Sequence, residues 1–235
     1  MKIGIVLPFH LRGANNNLPY AFTFRYYSKL KHLVHVCGSE GNLSLNFAVK
    51  HGPQCRYVEV KQGPICNESA GNDVLRKKFN DSLKTLPKDL DWYCLAGAND
   101  IVSPDFFRQL EVLDPTGIKM AGVGMDQKLF CVEMYRNNIV TSWKLQYQIP
   151  LKLLPGINCF SYEAMQVVNF EPYARKGCET GAEQLIAEIG EICPLNGSVT
   201  MLKGKHDLNS MDSIKRKHKQ VDLSQADVEY LRGLL

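Results

Sequence analysis

The segment Gly97-Ala98-Asn99-Asp100 holds the polar residues of this sequence that are best placed to do chemistry. Glycine, asparagine and aspartate are typical of turns, and the segment follows the apolar run 91–96, which reads as a buried strand. In open α/β sheets, ligands bind outside the carboxyl ends of the strands. A lone Asn-Asp pair usually does no more than cap a turn, but at the end of a buried strand Asn99 and Asp100 become candidates for binding a polar ligand.

Two acidic residues and a basic pair in the second half of the chain are further candidates. Glu179 and Glu183 stand at the start of a helix predicted over about 180–189, where acidic residues are common because they interact favourably with the helix dipole. Lys205 and His206 follow the last predicted strand. An imidazole can bind a cation when it is neutral and a phosphate when it is protonated. His206 therefore suits either ligand, the alternative being an ordinary histidine of a surface loop.

The elements that position these residues follow from the alternation of apolar, β-branched runs with helical patterns. Strands are predicted at 3–7, 33–37, 56–60, 91–96, 118–125, 129–136 and 198–202. Helices are predicted at 19–32, 42–50, 72–86 and 180–189, after Ser103-Pro104, after Ser161 and after Ser224. Asn72 is predicted to cap the helix that follows it, and the proline-containing stretch 141–157 is predicted to be irregular. Strands that alternate with helices indicate a parallel sheet with crossover helices.

Composition limits the class of protein. A chain of 235 residues, 45% of them hydrophobic, is long enough to bury one full α/β core, so a single domain is expected. No apolar stretch approaches the roughly 20 residues of a membrane-spanning helix, and the N-terminus reads as a first strand rather than a signal peptide. The eight cysteines are spread singly and are interpreted as reduced core thiols. A soluble, cytoplasmic protein is predicted, and a net charge of +4 is too small to indicate a nucleic-acid partner.

Residues 72–80, 91–93 and 99–107 resemble, in order and spacing, those of GT-A glycosyltransferases, and in particular the family 2-like nucleotide-diphospho-sugar transferases. The resemblance implies an α/β fold of the single-domain GT-A type over residues 1–210, with a mainly parallel central sheet flanked by helices. Residues 211–235 are then a basic C-terminal segment and a helix that packs on the same domain.

In that family a strand ends in an acidic DxD turn, which holds a divalent cation on the diphosphate of the sugar nucleotide. Alignment on Asp100 places Gly97 at the first aspartate and Asn99 at the second, so the motif is degenerate and only Asp100 keeps a carboxylate. Mg²⁺ and Mn²⁺ often bind through one or two carboxylates together with phosphates and water. The resemblance therefore implies a cation held by Asp100, with His206 as a second ligand.

The resemblance also implies a set of contacts to the nucleotide sugar. The predicted contacts are Pro8, Phe9, Glu40, Lys78, Asn80, Asn99, Asp100 and Lys205. Pro8 is expected to pack on the nucleobase and Glu40 to accept hydrogen bonds from ribose hydroxyls. Lys78 and Asn80 lie on the helix that, in the family, carries an asparagine or lysine near the nucleotide.

Two later segments resemble the acceptor side of the same family. Residues 156–165 match its turn, short strand and helix, and residues 177–185 match the segment that opens a helix and supplies the catalytic base. Counting back from Gly190 places Glu179 at the base position, with Glu183 as the alternative. An inverting transfer needs such a carboxylate, since an alcohol is a poor nucleophile until its proton leaves.

The implied function is transfer of a sugar from a nucleoside-diphosphate sugar to a hydroxyl of a glycan or other acceptor, inverting and assisted by Mn²⁺ or Mg²⁺. A sugar-1-phosphate nucleotidyltransferase is one alternative, although the sequence shows no Gly-rich loop with the basic signature of such enzymes after the first strand. A non-catalytic, GT-A-like nucleotide-sugar-binding module is another, since it would explain Gly97 and Asn99. The basic residues between 203 and 219 have three interpretations. They neutralise a diphosphate, they make a peripheral contact with an anionic membrane surface, or they form a solvated helix face.

Overall fold

A computed structural model describes residues 1–11, 18–61, 68–125, 127–135, 138–145, 152–174, 179–195, 200–204 and 224–234. Its strands are β1 (Ile3–Pro8), β2 (Leu33–Gly38), β3 (Arg56–Glu59), β4 (Trp92–Ala96), β5 (Asp100–Val102), β6 (Ile118–Gly124), β7 (Lys128–Tyr135), β8 (Asn138–Leu145), β9 (Leu153–Ser161), β10 (Glu191–Leu195) and β11 (Thr200–Gly204). Its helices are α1 (Leu18–Tyr27), α2 (Asn42–His51), α3 (Glu68–Leu83), α4 (Pro104–Val112), α5 (Tyr162–Val167), α6 (Glu179–Ala187) and α7 (Gln225–Leu234).

Seven strands form the central sheet, in the order β10-β6-β9-β4-β1-β2-β3. β1 runs parallel to β4 on one side and to β2 on the other, β2 runs parallel to β3, and β10 runs parallel to β6. Every residue of β1 and β4 is buried, as expected of parallel strands that are covered on both faces. The predicted fold class, a mainly parallel sheet flanked by helices, is confirmed.

The two faces of this sheet carry two hydrophobic clusters. Because successive residues of a strand face opposite sides, β1 contributes Ile5 to one cluster and Val6 to the other, and β4 contributes Trp92 to the first and Tyr93 to the second. Residues of α1, α2 and α4 pack into the first cluster, and residues of α3, α5 and α6 into the second. The helices on the second face therefore include both α3 and α6, which carry several of the predicted site residues.

The stretch 141–157 was predicted to be irregular, and that prediction is wrong. Residues 141–145 complete β8, which pairs antiparallel with β7, and residues 153–157 open β9, which lies antiparallel between β4 and β6. The proline at 155 belongs to β9, in a part of the strand where the pairing with β6 shifts register. Gly156 follows with φ 137°, a conformation that glycine adopts readily, and prolines within sheets are found at such irregularities.

A second sheet has four strands in the order β5-β11-β7-β8. β5 pairs antiparallel with β11, which brings Lys203 opposite Asp100 along the backbone. β4 ends at Ala96 in the central sheet and β5 begins at Asp100 in the second sheet. The segment 97–100 therefore links the two sheets.

Two helix boundaries differ from those predicted. α3 begins at Glu68, so Asn72 lies inside the helix and does not cap it. A lone asparagine is a weak boundary signal, and an acidic residue in the first turn is favoured by the helix dipole. α1 ends at Tyr27 because the N–H of Leu30 bonds to the carbonyl of Tyr27, three residues back, at 3.1 Å, and such bonds tighten and close a helix.

The cysteines whose side chains are described are free thiols: Cys37, Cys55, Cys94, Cys159 and Cys193. Cys94 and Cys159 lie opposite each other across β4 and β9. Burial raises the pKa of the Cys159 thiol well above its ordinary value, which keeps it protonated and unreactive. Over the described parts of the chain, no helix is both long and apolar enough to cross a membrane.

Candidate functional site

The ammonium group of Lys78 joins the carboxyl ends of β1 and β2. Lys78 lies on α3 and is only 3% exposed. Its Nζ donates to the carbonyl of Phe9, directly after β1, and at 3.2 Å to Oγ of Ser39, directly after β2. Burial lowers the pKa of Lys78 to about 8, although the carboxylate of Glu40 acts in the opposite direction. A buried cation thus stands at the edge of the sheet where α/β proteins bind ligands.

The carboxylate of Glu40 accepts hydrogen bonds from the side chains around it. Ser39 Oγ donates at 2.6 Å, Ser44 Oγ donates as well, and His10 contacts the carboxylate through Nδ1. Burial by itself would raise the pKa of Glu40, but the two serines and the charge of His10 outweigh burial and lower the pKa to about 2. We call His10, Ser39, Glu40, Ser44 and Lys78 the Glu40 cluster.

Within the Glu40 cluster, the acceptor positions of Glu40 are largely taken. A carboxylate offers about four lone-pair positions; neighbouring side chains use three of them, and the main-chain N–H of Ser39 contacts the carboxylate at 3.4 Å as the fourth donor. The prediction that Glu40 accepts from ribose hydroxyls therefore requires one of these bonds to be exchanged. Its partners were not predicted, because Ser39, Ser44 and His10 carry no pattern that distinguishes them from ordinary loop and helix residues.

Pro8 and Phe9 present buried side chains at this edge. Pro8 is the buried last residue of β1. The ring of Phe9 is 3% exposed and meets the ring of Phe24 edge to face, with centroids 5.0 Å apart. The carbonyl of Phe9, rather than its ring, is thus the group that faces Lys78, and the predicted packing of Pro8 on a nucleobase stays a prediction.

The carboxylate of Asp100 lies within its own turn. Gly97 N donates to the carbonyl of Gly156 at 2.8 Å, and Asp100 N donates to the carbonyl of Gly97 at 2.9 Å. Asp100 is only 3% exposed. A Cβ at position 97 would stand 3.0 Å from Cγ of Asp100 and closer still to Oδ2. Glycine at 97 is therefore what allows the carboxylate of Asp100 to take this position.

Two tyrosines of α1 support the strand that Asp100 opens. The hydroxyl of Tyr26 donates to the carbonyl of Val102, in β5. Burial, then Tyr26 and then the carboxylate of Asp100, raise the pKa of Tyr27 well above its ordinary value. The buried hydroxyl of Tyr27 has no hydrogen-bond partner among the described residues. Neither tyrosine was predicted as a site residue, because helical spacing does not tell which strand a helix will meet.

Glu183 connects α6 to the beginning of β9 through hydrogen bonds. Its side chain is buried, and its carboxylate accepts from the main-chain N–H groups of Lys152 at 2.6 Å and Leu153 at 3.3 Å. Both carboxylate oxygens are thereby engaged with the main chain. Glu179 is the first residue of α6, one helical turn earlier. These bonds count against Glu183 as the candidate base, the side chain of Glu179 lies outside the described ones, and both assignments stay predictions.

Asn80 is directed away from the Glu40 cluster. Its Oδ1 accepts from the main-chain N–H of Tyr173 at 3.1 Å. Residues two apart on a helix do not share a face, so Lys78 and Asn80, both predicted to contact the nucleotide, serve different neighbours. Asn99 is partly buried in its turn, and Lys205 and His206 lie outside the described residues.

The fold resembles several solved structures over most of its length. A mannosyltransferase from Pyrobaculum calidifontis, solved with GDP-Man and Mn²⁺, matches 99% of this chain and 69% of its own with a TM-score of 0.58 at 10% identity. A 4-diphosphocytidyl-2C-methyl-D-erythritol synthase matches 99% of this chain and 97% of its own with a TM-score of 0.51 at 11% identity. Mouse xyloside xylosyltransferase 1 in its apo form matches 83% of this chain and 86% of its own with a TM-score of 0.50 at 11% identity.

This chain has the GT-A fold. At these identities the likeness shows the GT-A fold alone, and neither a protein-family description nor a curated protein sequence matches the chain. The segment 97–100 follows β4 and ends where β5 begins, and its assignment as a degenerate DxD turn stays a prediction.

The side chains of the segment 97–100 fit a divalent cation if a substrate supplies most of the ligands of that cation. In the described part of the chain, no group of three or more His, Cys, Asp or Glu side chains could hold a metal ion. Asp100 offers one carboxylate at the start of β5, and the nearest atoms to a Cβ built at position 97 are those of the Asp100 carboxylate and Oδ1 of Asn99, at 3.5 Å. Hard divalent cations bind in this way when phosphates and water supply the remaining oxygens.

Proposed function

We propose that this protein is a glycosyltransferase that moves a sugar from a nucleoside-diphosphate sugar to an acceptor hydroxyl. The observation that carries the proposal is the position of Asp100, a buried carboxylate at the start of β5, directly after the turn that follows β4 in a GT-A fold. β4 is the immediate neighbour of β1, whose carboxyl end meets Lys78. A mannosyltransferase with GDP-Man and Mn²⁺ and a xylosyltransferase share the fold, which supports a sugar nucleotide as the donor.

On the donor side, Lys78 supplies positive charge for the diphosphate. Because its pKa is about 8, the ammonium group is mostly protonated at neutral pH, and an adjacent anion would raise the pKa further. Asp100 is the residue that would hold Mn²⁺ or Mg²⁺, and a cation there would neutralise charge that develops on the departing diphosphate. Lys205 and His206 remain predicted contacts to the same group.

On the acceptor side, Glu179 is the proposed base. As the acceptor oxygen bonds to the anomeric carbon, its proton passes to the carboxylate of Glu179. The bond between the anomeric carbon and the diphosphate oxygen breaks, and the nucleoside diphosphate leaves with the electron pair. Attack from the side opposite the leaving group inverts the anomeric centre.

Turnover of sugar nucleotides by the purified chain, with Mn²⁺, with Mg²⁺ and with a chelator, tests the proposal. Asp100→Asn is expected to lose most of the turnover, whereas Asp89→Asn, at the exposed amino edge of the sheet, is expected to retain it. Glu179→Gln is expected to remain folded and inactive. Full activity in Glu179→Gln would remove Glu179 as the base, and equal activity in the two aspartate variants would remove Asp100 from the site.

A sugar-1-phosphate nucleotidyltransferase is the second candidate. The observation that favours it is the match to 97% of a 4-diphosphocytidyl-2C-methyl-D-erythritol synthase. Release of pyrophosphate on mixing a nucleoside triphosphate with a sugar 1-phosphate would support this activity against glycosyl transfer. Nucleotide binding without a cation, and without transfer or donor hydrolysis, would support the binding module instead.

A further inference from the structure

His10 stands at the carboxyl end of β1, two residues after the strand, and was not among the predicted site residues. Its imidazole contacts the carboxylate of Glu40 through Nδ1. The side chain of His10 is 49% exposed, whereas that of Glu40 is 19% exposed. Among the described residues, the hydrogen-bond partner of His10 is therefore a largely buried carboxylate, and the imidazole itself remains open to solvent.

The charge of Glu40 decides which ring nitrogen of His10 carries a proton. The pKa of Glu40 is about 2, so the carboxylate is ionised at neutral pH and can only accept hydrogen bonds. Nδ1 of His10 must then be the donor in their contact. The other ring nitrogen, Nε2, is an acceptor in the neutral imidazole and a donor in the protonated one.

Glu40 is itself held in place by its neighbours. Ser39 Oγ donates to Oε1 at 2.6 Å, and Ser44 Oγ donates to Oε2. The main-chain N–H of Glu40 donates to Ser44 Oγ at 3.2 Å, and Lys78 Nζ donates to Ser39 Oγ at 3.2 Å. The carboxylate thus has a fixed position from which it can orient the imidazole, as carboxylates orient the histidines of metal and catalytic sites.

The order of the strands places His10 on the side of β4 where a nucleoside would lie. Asp100, the proposed holder of the cation, follows the turn after β4. The proposed base stands on α6, which Glu183 connects to the beginning of β9, the neighbour of β4 on one side. β1 and then β2 lie on the other side of β4, at about 4.8 Å per strand. A donor with its diphosphate at Asp100 and its sugar towards α6 therefore has its nucleoside over the ends of β1 and β2.

The chemistry of the pair formed by His10 and Glu40 favours a hydroxyl over a phosphate as the ligand of Nε2. A protonated imidazole beside an ionised carboxylate forms a pair without net charge, which gives a phosphate little electrostatic attraction. A hydroxyl can donate to Nε2 of the neutral ring and accept from Nε2–H of the protonated ring. The hydroxyls of a nucleoside are those of its ribose.

We infer that His10 binds a ribose hydroxyl of the nucleotide through Nε2, and that Glu40 is the positioning residue for His10. The inference rests on the proposed function for the presence of a nucleoside diphosphate at this edge of the sheet. It replaces the predicted direct bond between Glu40 and the ribose with a bond from the neighbouring imidazole, so that the contacts of Glu40 need not be exchanged when the nucleotide binds.

Binding of nucleotides that lack one ribose hydroxyl tests the inference on the full chain. The probes are whichever of UDP, GDP, ADP and CDP binds most tightly with Mn²⁺, together with its 2′-deoxy and 3′-deoxy analogues. The measured quantity is the ratio of the Kd of each analogue to the Kd of the ribonucleotide. His10→Ala removes the imidazole, and His10→Asn keeps a polar group near the position of Nδ1 but has none at Nε2. His51→Ala, at the far end of α2 from Glu40, is the matched control.

In the parent chain, one analogue is expected to bind about 3- to 10-fold more weakly than the ribonucleotide, as the loss of one hydrogen bond predicts. In His10→Ala and His10→Asn that ratio is expected to fall to about 1, because the ribonucleotide loses affinity and the analogue does not. His51→Ala is expected to keep the parental ratio. A parental ratio in His10→Ala, or equal binding of all three nucleotides by the parent, would overturn the contact with the ribose.

Glu40→Gln tests the positioning role. The amide keeps the shape of the side chain but no longer requires Nδ1 to be the donor, so the ratio is expected to fall below that of the parent while the Kd of the analogue changes little. A purely structural role would weaken the ribonucleotide and the analogue equally, and that result would remove Glu40 as the positioning residue. If Glu40→Gln does not fold, Ser44→Ala supplies the same comparison, since it removes one of the bonds that hold the carboxylate.

Sugar transfer and ribose recognition are measured separately, so the two proposals can fail separately. The expected ratios without any sugar transfer would refute the proposed function and support the contact of His10 with the ribose. Sugar transfer together with a parental ratio in His10→Ala would refute that contact and leave the proposed function standing. Binding of none of the nucleotides would refute both.

Discussion

The carboxylate of Asp100 occupies the space that a side chain at Gly97 would need, since a Cβ at 97 would stand 3.0 Å from Cγ of Asp100 and closer to Oδ2. The glycine at 97 and the carboxylate of Asp100 are therefore parts of one arrangement. An acidic side chain at 97 would compete for the position that Asp100 already holds.

Substitution at Gly97 tests this relationship. Gly97→Ala is expected to lower the free energy of unfolding by about 1–3 kcal/mol, because the carboxylate or the turn must shift to admit the methyl group. Gly117→Ala is the matched control, since a Cβ at 117 meets no atom within 4 Å. Urea unfolding of both variants gives the comparison, and equal midpoints would show that Asp100 does not fill the space beside Gly97.

Removal of the Lys78 ammonium changes how stability depends on alkaline pH. The pKa of Lys78 is about 8 in the folded chain against an ordinary value of 10.5, so between these values the unfolded state binds more protons. The contribution of Lys78 to the free energy of unfolding therefore rises as the pH goes from about 8 to 10.5, by roughly 3 kcal/mol at most. In Lys78→Met this rise is expected to disappear.

The neighbouring Lys77→Met serves as the control for Lys78→Met. Lys77 is exposed and pairs with Asp81 on the helix surface, where such pairs contribute little to stability. Urea midpoints measured from pH 7 to 10.5 are expected to keep the parental slope in Lys77→Met. The same slope in Lys78→Met would contradict the assignment of the rise to Lys78.

Loss of the Glu40 carboxylate is expected to change how the free energy of unfolding falls at acidic pH. The pKa of Glu40 is about 2 in the folded chain against 4.5 ordinarily. Its contribution is therefore fully present above pH 4.5 and is lost as the pH falls towards 2. Glu40→Gln is expected to unfold more easily at pH 6, by up to roughly 3 kcal/mol, and to show a shallower decline on acidification. Glu59→Gln, at an exposed position of β3, should behave as the parent. If stability falls with acid as steeply in Glu40→Gln as in the parent, Glu40 is not the source of that fall.

Glu183→Gln is expected to destabilise the chain even though the two side chains have nearly the same shape. One oxygen that now accepts from Lys152 N or Leu153 N would be replaced by an amide that can only donate. A buried N–H left without an acceptor costs about 1–3 kcal/mol. Thermal or urea unfolding measures the loss against Glu191→Gln, an exposed position of β10. Parental stability in Glu183→Gln would show that these bonds do not hold α6 to β9.

Much of the fold could be predicted because its signals are local. β1, β2, β3 and β4 lie within about a residue of the predicted strands, since apolar runs and turn residues mark them directly. β8 was missed because it is defined by pairing with β7. The direction of β9, antiparallel between β4 and β6, likewise depends on the path of the chain, which no short pattern encodes.

The features of the candidate site also differ in whether a local sequence pattern predicts them. Local residue patterns were enough to predict that Asp100 follows a buried strand and that Glu179 stands at the start of a helix, because strand ends and helix starts carry their own residue preferences. The folded structure was needed to show that the oxygens of Glu40 are engaged by its neighbours, that Lys78 joins two strand ends, and that Asn80 accepts a hydrogen bond from a residue 93 positions away. Such contacts arise where distant segments cross in the folded chain, so a local period or motif contains no record of them.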